Sequence, residues 1–217
     1  MKKVLMVVTG ANELKLADGT SHPTGFWAEE VVESHRVLTE GGAEVTVATP
    51  GGVVPTVDAG SLEGTDFAGP AAAVTRDPAN LGEVDAADFD AIYVPGGHGP
   101  MTDLAFDAGL GRLLTEFHDT GKVVAALCHG PAGLLPAVRA NGEFVFAGKE
   151  MAVFSDEEER QGGLDVPYSV EGRLRELGAK IATGPAWSST VVTDGRFVTG
   201  QNPQSTVATA QAVLALL

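Results

Sequence analysis

Short apolar runs alternate along the chain with segments in which apolar residues recur at helical spacing. Two of the runs, "KVLMVVT" at 3–9 and "KVVAALC" at 122–128, are almost wholly apolar, which is typical of strands covered on both faces of a parallel sheet. The segments "AEVTVATP" at 43–50 and "FDAIYVPGG" at 89–97 indicate two more strands. The pattern predicts a mainly parallel sheet of about six or seven strands.

Helical patterns occupy the stretches between and after these runs. Residues 26–41 predict a first helix that ends at a glycine pair, and further helices are predicted over 110–121, 130–142 and 202–217. Because strands alternate with helices, we expect an α/β fold: a doubly wound, mainly parallel sheet flanked by helices on both faces, of the flavodoxin-like type. The whole chain, 1–217, is interpreted as one domain.

Two regions depart from this alternation. An Asp-Gly pair between two short apolar stretches in 190–200 predicts a β-hairpin. The glycine- and proline-rich passage 51–87 predicts a long loop that contains a short ordered segment. We expect the walls of a ligand pocket to come from that loop and from the segments 10–24 and 160–190.

Composition excludes several classes of partner. The chain has 29 acidic and 14 basic side chains, a net charge of −15, which opposes binding to nucleic-acid phosphates or anionic membranes. No stretch approaches the roughly 20 apolar residues that span a bilayer, and the N-terminal apolar run is too short for a secretion signal. A single cysteine forms no intramolecular disulfide. We therefore expect a cytoplasmic protein that binds neither nucleic acid nor membranes.

The only cysteine, Cys128, lies where a buried strand passes into "HGPAG". This order of residues is the one that a nucleophile elbow requires, and Gly130 leaves room for its tight turn. A thiol at the N-terminus of the following helix has a lowered pKa. The alternative is a small buried structural side chain, the usual fate of an unpaired cysteine. The adjacent His129 favours the nucleophile.

A second glycine turn, at Gly96, Gly97 and His98, follows the strand that precedes Cys128 in the chain. Backbone N–H groups in such a turn can point at a developing oxyanion, and the carboxyl ends of parallel strands meet at one edge of the sheet. No metal site is predicted, because the histidines lack the spacing of metal ligands. They are His22, His35, His98, His118 and His129.

Four motifs carry a resemblance to a known family. "AIYVPGGHGPMTDL" and "GKVVAALCHGPAGLL" resemble the ThiJ/PfpI superfamily, which has a class I glutamine amidotransferase-like fold. "PTGFWAEEVVESHRVLTEGGAEVTVATPGG" and "TDGRFVTGQNPQS" resemble its heat-shock chaperone and glyoxalase III branch. The motifs occur in the family order and span nearly the whole chain. The resemblance implies a homodimer.

The resemblance also implies roles for individual residues. Cys128 corresponds to the nucleophile, His129 to the adjacent base and Glu30 to an acid that hydrogen-bonds the thiolate. The motif selects Glu30 over Glu29, a choice that helix periodicity does not make. Gly96 and Gly97 would hold the oxyanion, with His98 beside them on the substrate side.

A third acid of the family, which orients the histidine, falls in the run of four acids 156–159. Spacing from Phe154 favours Glu159, although such a run also suits the solvated start of a helix. Trp187 lies near a pocket wall or, equally, in the core.

The activity that the resemblance implies is that of a glutathione-independent glyoxalase III, a lyase of the hydro-lyase class. It converts a small aldehyde, methylglyoxal, to lactate through a cysteine adduct and needs no cofactor. The alternatives are a stress-response holdase chaperone, a redox sensor with an oxidisable thiol, and a hydrolase of deglycase or amidase type. Fold resemblance alone does not choose among them.

Overall fold

The computed structural model describes all 217 residues. Its regular elements include eleven strands and six α-helices. The strands are β1 (Lys2–Val7), β2 (Glu13–Lys15), β3 (Ser21–Pro23), β4 (Ala43–Thr49), β5 (Ala79–Asn80), β6 (Ala91–Val94), β7 (Val123–Leu127), β8 (Glu150–Met151), β9 (Lys180–Ile181), β10 (Val191–Asp194) and β11 (Phe197–Gly200). The helices are α1 (Ala28–Glu40), α2 (Ala68–Thr75), α3 (Ala108–Asp119), α4 (Asp156–Gly162), α5 (Val170–Glu176) and α6 (Thr206–Leu216). None of the helices combines the length and apolar character that a membrane crossing requires.

A seven-stranded sheet forms the centre of the molecule, in the order β10-β11-β7-β6-β1-β4-β5. All neighbouring strands are parallel except β10 and β11, which form an antiparallel hairpin. The predicted doubly wound α/β fold and the predicted hairpin are confirmed. The turn of the hairpin contains Gly195, whose φ of 67° is a conformation that glycine adopts without steric cost.

Two apolar cores lie on opposite faces of this sheet. Alternate residues of β1 divide between them, Val4 and Met6 facing one core and Leu5 and Val7 the other. Helices α1, α2 and α6 cover the first face, and α3 and α5 cover the second. Because both faces are covered, the central strands are apolar on both sides, which explains the continuous apolar runs in the sequence.

The helix predicted over 130–142 is wrong in type and length. Only Gly130–Leu134 are helical, and they form a 3-10 helix. Pro136 lacks the backbone N–H that an α-helix would need there, and its ring clashes with the preceding turn. The passage 51–87, predicted as a loop with a short ordered segment, contains α2 and the short strand β5.

Candidate active site

Cys128 stands at the carboxyl end of β7, in the middle of the sheet. Its φ is +60°, a conformation that a residue other than glycine seldom adopts, and its side chain is only 3% exposed. Its N–H donates to the carbonyl of Gly200, 3.0 Å away on β11. A Cβ on Gly130 would lie 2.1 Å from the carbonyl oxygen of Val94. The predicted turn therefore forms, and only glycine fits its exit.

Glu30 approaches the same sulfur from the first turn of α1. Its side chain is fully buried, and its Oε2 accepts a hydrogen bond of 2.7 Å from the N–H of Gly96. Its other oxygen, Oε1, is buried with no nitrogen or oxygen partner, and the carboxyl lies within interaction range of the Cys128 thiol. Glu29 is half-buried. The motif-based choice of Glu30 agrees with this placement.

Burial controls the protons of this pair. It raises the pKa of Glu30 to about 8. Burial, and then the negative charge of Glu30, also raise the pKa of the Cys128 thiol. The lowered thiol pKa expected from a helix N-terminus is therefore wrong, because the following 3-10 helix is short and the sulfur is removed from water. The two groups titrate as one unit whose first ionisation leaves a single charge for both.

A chain of contacts connects the sulfur of Cys128, through His129, to Glu159 and His98. His129 Nδ1 lies 3.4 Å from Cys128 Sγ, and His129 Nε2 lies 2.7 Å from Glu159 Oε2. The second oxygen, Glu159 Oε1, lies 3.0 Å from His98 Nε2. With Nε2 of His129 protonated toward the carboxylate, Nδ1 is free to accept the thiol proton. The structure thus brings together the cysteine, the histidine and the acid favoured among 156–159.

Electrostatics on this side are opposite to those around Glu30. Burial, and then the neighbouring His98, lower the pKa of His129 to about 4. Burial by itself would raise the pKa of Glu159, but hydrogen bonds from His129 and His98 outweigh it and hold that pKa at about 2. At neutral pH the imidazole of His129 is therefore neutral and the carboxylate of Glu159 is charged.

The backbone donors around the sulfur differ from those expected. The sequence prediction gave the N–H groups of Gly96 and Gly97 to the oxyanion, but the N–H of Gly96 donates to Glu30 and is not available. The N–H groups of Gly97 and His129 lie close enough to Cys128 to lower the pKa of its thiol. These two N–H groups, unlike that of Gly96, are therefore the backbone donors available near the sulfur for an oxyanion.

Glu158, which sequence reasoning left among the candidates for the orienting acid, has a structural role. It is buried and completes a capping box with Ser155 at the start of α4. It also accepts hydrogen bonds from the side chain of Asn202 at 2.7 Å and from the backbone N–H of Trp187 at 2.8 Å. Because Glu158 fixes the first turn of α4, the next residue, Glu159, points at the histidines.

Above these groups lies a cavity of about 180 Å³ with mainly apolar walls. The ring of Phe154 lies 4.3 Å from that of His129 and meets Trp187 edge-on at 5.6 Å. Trp187 is 42% exposed, and its φ is +60°. The lining residues are Trp27, Gly97, His98, Cys128, His129, Phe154, Glu159, Gly162, Leu164, Trp187 and Pro203.

The prediction of the pocket walls is only partly right. The segment 160–190 contributes Gly162, Leu164 and Trp187 to the lining, but 10–24 and 51–87 contribute no residue. A larger open groove of about 610 Å³ lies between α3 and residues 136–140, and neither cysteine nor histidine lines it.

Comparison with known proteins gives the family. Residues 22–216 match the DJ-1/PfpI family. The chain belongs to the DJ-1/PfpI family. It is 32% identical to glyoxalase 3 of Candida albicans, over 99% of this chain and 98% of that protein. It is 31% identical to the protein/nucleic acid deglycase HchA of Pseudomonas aeruginosa, over 93% of this chain and 76% of that protein.

A solved structure agrees with these relatives. The crystal structure of glyoxalase III from Candida albicans superposes with a TM-score of 0.81 at 27% identity, covering 99% of this chain and 96% of that chain. The family resemblance read from the four motifs is confirmed, and so is its glyoxalase III branch. This DJ-1/PfpI protein is an enzyme of that family.

Some residues of this DJ-1/PfpI site could not be assigned to it from the sequence. Trp27, Leu164 and Pro203 line the cavity from separate parts of the chain, and no local pattern marks them. Phe154 is different, because it follows β8 immediately before the Ser155 cap, and its N–H donates to the carbonyl of Cys128 at 3.0 Å. The capping-box spacing from Ser155 could have assigned Glu158 to the cap.

Proposed function

We propose that this protein is a cysteine-dependent, glutathione-independent glyoxalase that converts methylglyoxal and water to lactate. The observation that supports the proposal is the placement of Cys128 between a carboxylic acid and a histidine–carboxylate pair. A buried, protonated Glu30 lies on one side, and a His129–Glu159 pair with a free Nδ1 lies on the other. Such a site combines a nucleophile, an acid and a base within one small cavity.

The first step is addition of sulfur to the aldehyde. His129 Nδ1 takes the thiol proton of Cys128, and the sulfur forms a bond to the aldehyde carbon. The carbonyl oxygen becomes an alkoxide that the N–H groups of Gly97 and His129 stabilise. Glu30 donates its proton to this oxygen, and a neutral hemithioacetal results.

The second step moves hydrogen between the two former carbonyl carbons. A base removes the proton from the carbon bonded to sulfur, an enediol forms, and a proton is returned to the adjacent carbon. His129 and Glu30 are the two groups that can carry this proton, since both contact Cys128. The product is a lactoyl thioester of Cys128, which water hydrolyses to lactate with release of the thiol.

The size of the cavity favours a small substrate. Pockets for drug-sized ligands typically measure roughly 300–1,000 Å³, whereas this one measures about 180 Å³. A three-carbon dicarbonyl presents one methyl group, and the rings of Phe154 and Trp187 offer an apolar wall for it.

The direct test measures D-lactate formed from methylglyoxal by the purified protein without glutathione. We expect turnover by the wild type and a loss of at least about 10³-fold in Cys128→Ala, since removing a nucleophile removes the covalent route. Cys128→Ser serves as the matched control for packing, and it should fold like the wild type and be equally inactive. Equal rates for the wild type and Cys128→Ala contradict the proposal.

Deglycation is the second candidate, favoured by the identity to the deglycase HchA. The test starts from a preformed methylglyoxal–amine adduct, with all free aldehyde removed. A deglycase accelerates loss of the adduct beyond its spontaneous dissociation, whereas a glyoxalase consumes only the aldehyde that dissociates. The redox-sensor alternative is less favoured, because burial and the charge of Glu30 raise the pKa of the Cys128 thiol, and the thiolate is the form that oxidises readily.

The holdase and the homodimer stay predictions of the resemblance. Suppression of the aggregation of a heated test enzyme, undiminished in Cys128→Ala, supports the holdase. Sedimentation at micromolar concentration distinguishes a dimer from a 22.3 kDa monomer.

A further inference from the structure

Two histidines and a glutamate converge on one wall of the catalytic cavity. The Nε2 atoms of His98 and His129 contact the two carboxylate oxygens of Glu159, and all the ligand-type atoms lie within 4.8 Å of one another. Imidazole and carboxylate are both common ligands of Zn²⁺. We propose that these three side chains form a Zn²⁺ site whose occupation switches the enzyme off.

The three side chains reach zinc-binding distances after side-chain rotation. A tetrahedral ion with bonds of about 2.0–2.1 Å separates its ligand atoms by roughly 3.3 Å. His98 and His129 contact different oxygens of Glu159, at 3.0 Å and 2.7 Å. The set of one ligand atom per residue spans up to 4.8 Å, so the side chains must rotate to bring its most distant atoms closer by up to about 1.5 Å. Three protein ligands leave the fourth position for water, which the cavity can supply because all three residues line it.

The ligands are held in place before any ion binds. The ring of His129 packs against that of Phe154, at 4.3 Å, and against that of His98, at 4.1 Å. Glu159 projects from the first turn of α4, which the Ser155 capping box fixes. A site that needs little ordering binds its ion with less loss of conformational entropy. The net charge of −15 also attracts cations to the protein.

Bound zinc would prevent catalysis because it changes which nitrogen of His129 carries the ring proton. Coordination through Nε2 of His129 moves the ring proton from Nε2 to Nδ1. Nδ1 lies 3.4 Å from the sulfur of Cys128, and as an N–H group it donates and cannot accept the thiol proton. The sulfur is not needed as a ligand, which separates this site from ordinary capture of zinc by a thiolate.

The test uses Co²⁺ as a coloured substitute for Zn²⁺ and does not depend on turnover. Cobalt is titrated into the wild type and Cys128→Ala, its visible absorption is followed, and Zn²⁺ is added to displace it. We expect one ion per chain in both proteins, with affinities within about threefold because the sulfur is not a ligand. His98→Ala and Glu159→Gln should each weaken binding at least tenfold, and the control His22→Asn should not.

Circular dichroism and thermal melting establish that each variant is folded. If His98→Ala does not fold, His98→Gln replaces it, because it keeps much of the volume without the ring nitrogen. Loss of cobalt binding in Cys128→Ala, a sulfur-to-cobalt charge-transfer band, or wild-type affinity in His98→Ala overturns the proposal. If methylglyoxal proves not to be a substrate, the cobalt result still decides whether the site exists.

Discussion

Two glutamates flank the same cysteine–histidine unit, and their environments are opposite. Glu30 is fully buried, with one N–H donor on Oε2 and no nitrogen or oxygen partner on Oε1. Glu159 is partly exposed to the cavity, and both of its oxygens contact imidazole nitrogens. Burial raises the pKa of Glu30 to about 8, whereas two hydrogen-bonded histidines overcome burial and hold the pKa of Glu159 at about 2.

The difference shows how one type of side chain supplies opposite chemistry at one site. At neutral pH, a buried carboxyl group with too few hydrogen-bond donors keeps its proton. A carboxyl group with a donor on each oxygen loses its proton. At neutral pH, Glu30 can therefore act as an acid toward the substrate, while Glu159 fixes the tautomer and orientation of His129. The predictions below test this division of labour.

The largest effect is expected from Glu30→Gln. The amide still accepts the hydrogen bond from Gly96, but it has no proton to transfer, so methylglyoxal turnover should fall roughly 10²- to 10⁴-fold. Alkylation of Cys128 by iodoacetamide should partly survive, because the thiol and His129 remain. Glu29→Gln is the matched control one residue earlier and should keep turnover within about threefold of the wild type. Equal losses in the two variants would remove the special role of Glu30.

A smaller loss, of roughly 10²-fold, is expected from Glu159→Gln, because His129 loses the charge that orients it and stabilises its protonated form. The same charge raises the pKa of His129. The acid limb of kcat/KM against pH, which reports the essential base of the free enzyme, should therefore move to lower pH. Glu157→Gln, on the exposed side of α4, is the control and should leave the profile unchanged. An acid limb that moves upward would contradict this view of Glu159.

The stability of the fold should depend on pH through Glu30. Its folded pKa is raised from 4.5 to about 8, so its contribution to the free energy of unfolding is complete below pH 4.5 and is lost as pH rises through about 8. The shift corresponds to about 5 kcal/mol as an order of magnitude. Glu30→Gln has no charge to bury, so its melting temperature should exceed that of the wild type near pH 8, with the difference shrinking toward pH 5. A constant difference across this range would show that burial of the charge is not the cause.

The smallest effect, about three- to tenfold on turnover, is expected from His98→Asn. Glu159 keeps its contact with His129 and loses only the second donor. Because the neighbouring His98 lowers the pKa of His129, replacing His98 should move the acid limb of kcat/KM to higher pH, opposite to Glu159→Gln. Shifts in the same direction for both variants would mean that the limb does not report His129. A loss as large as that of Glu30→Gln would give His98 a direct role in the reaction.

Sequence patterns predicted those parts of the molecule in which neighbours along the chain determine the structure. Apolar runs of strand length, separated by helical spacing, were enough for the doubly wound sheet, since strands covered on both faces must be apolar throughout. The turn at Cys128 followed from the glycine two residues later, and the run of four acids at 156–159 is typical of the helix start that α4 has there. The 3-10 helix after Cys128 was not predicted, because the spacing of apolar residues in 130–142 is helical and only Pro136 opposes an α-helix there.

Only the tertiary structure decided which atoms meet and which protons they hold. The sequence named Glu30 and Glu159 through a family resemblance, but their opposite charges depend on donors from elsewhere: Gly96 for one, His98 and His129 for the other. The three possible metal ligands come from the carboxyl ends of β6 and β7 and from α4, and their spacing in the chain carries no metal signature. A pKa depends on burial and on contacts between distant segments, and these exist only once the chain has folded.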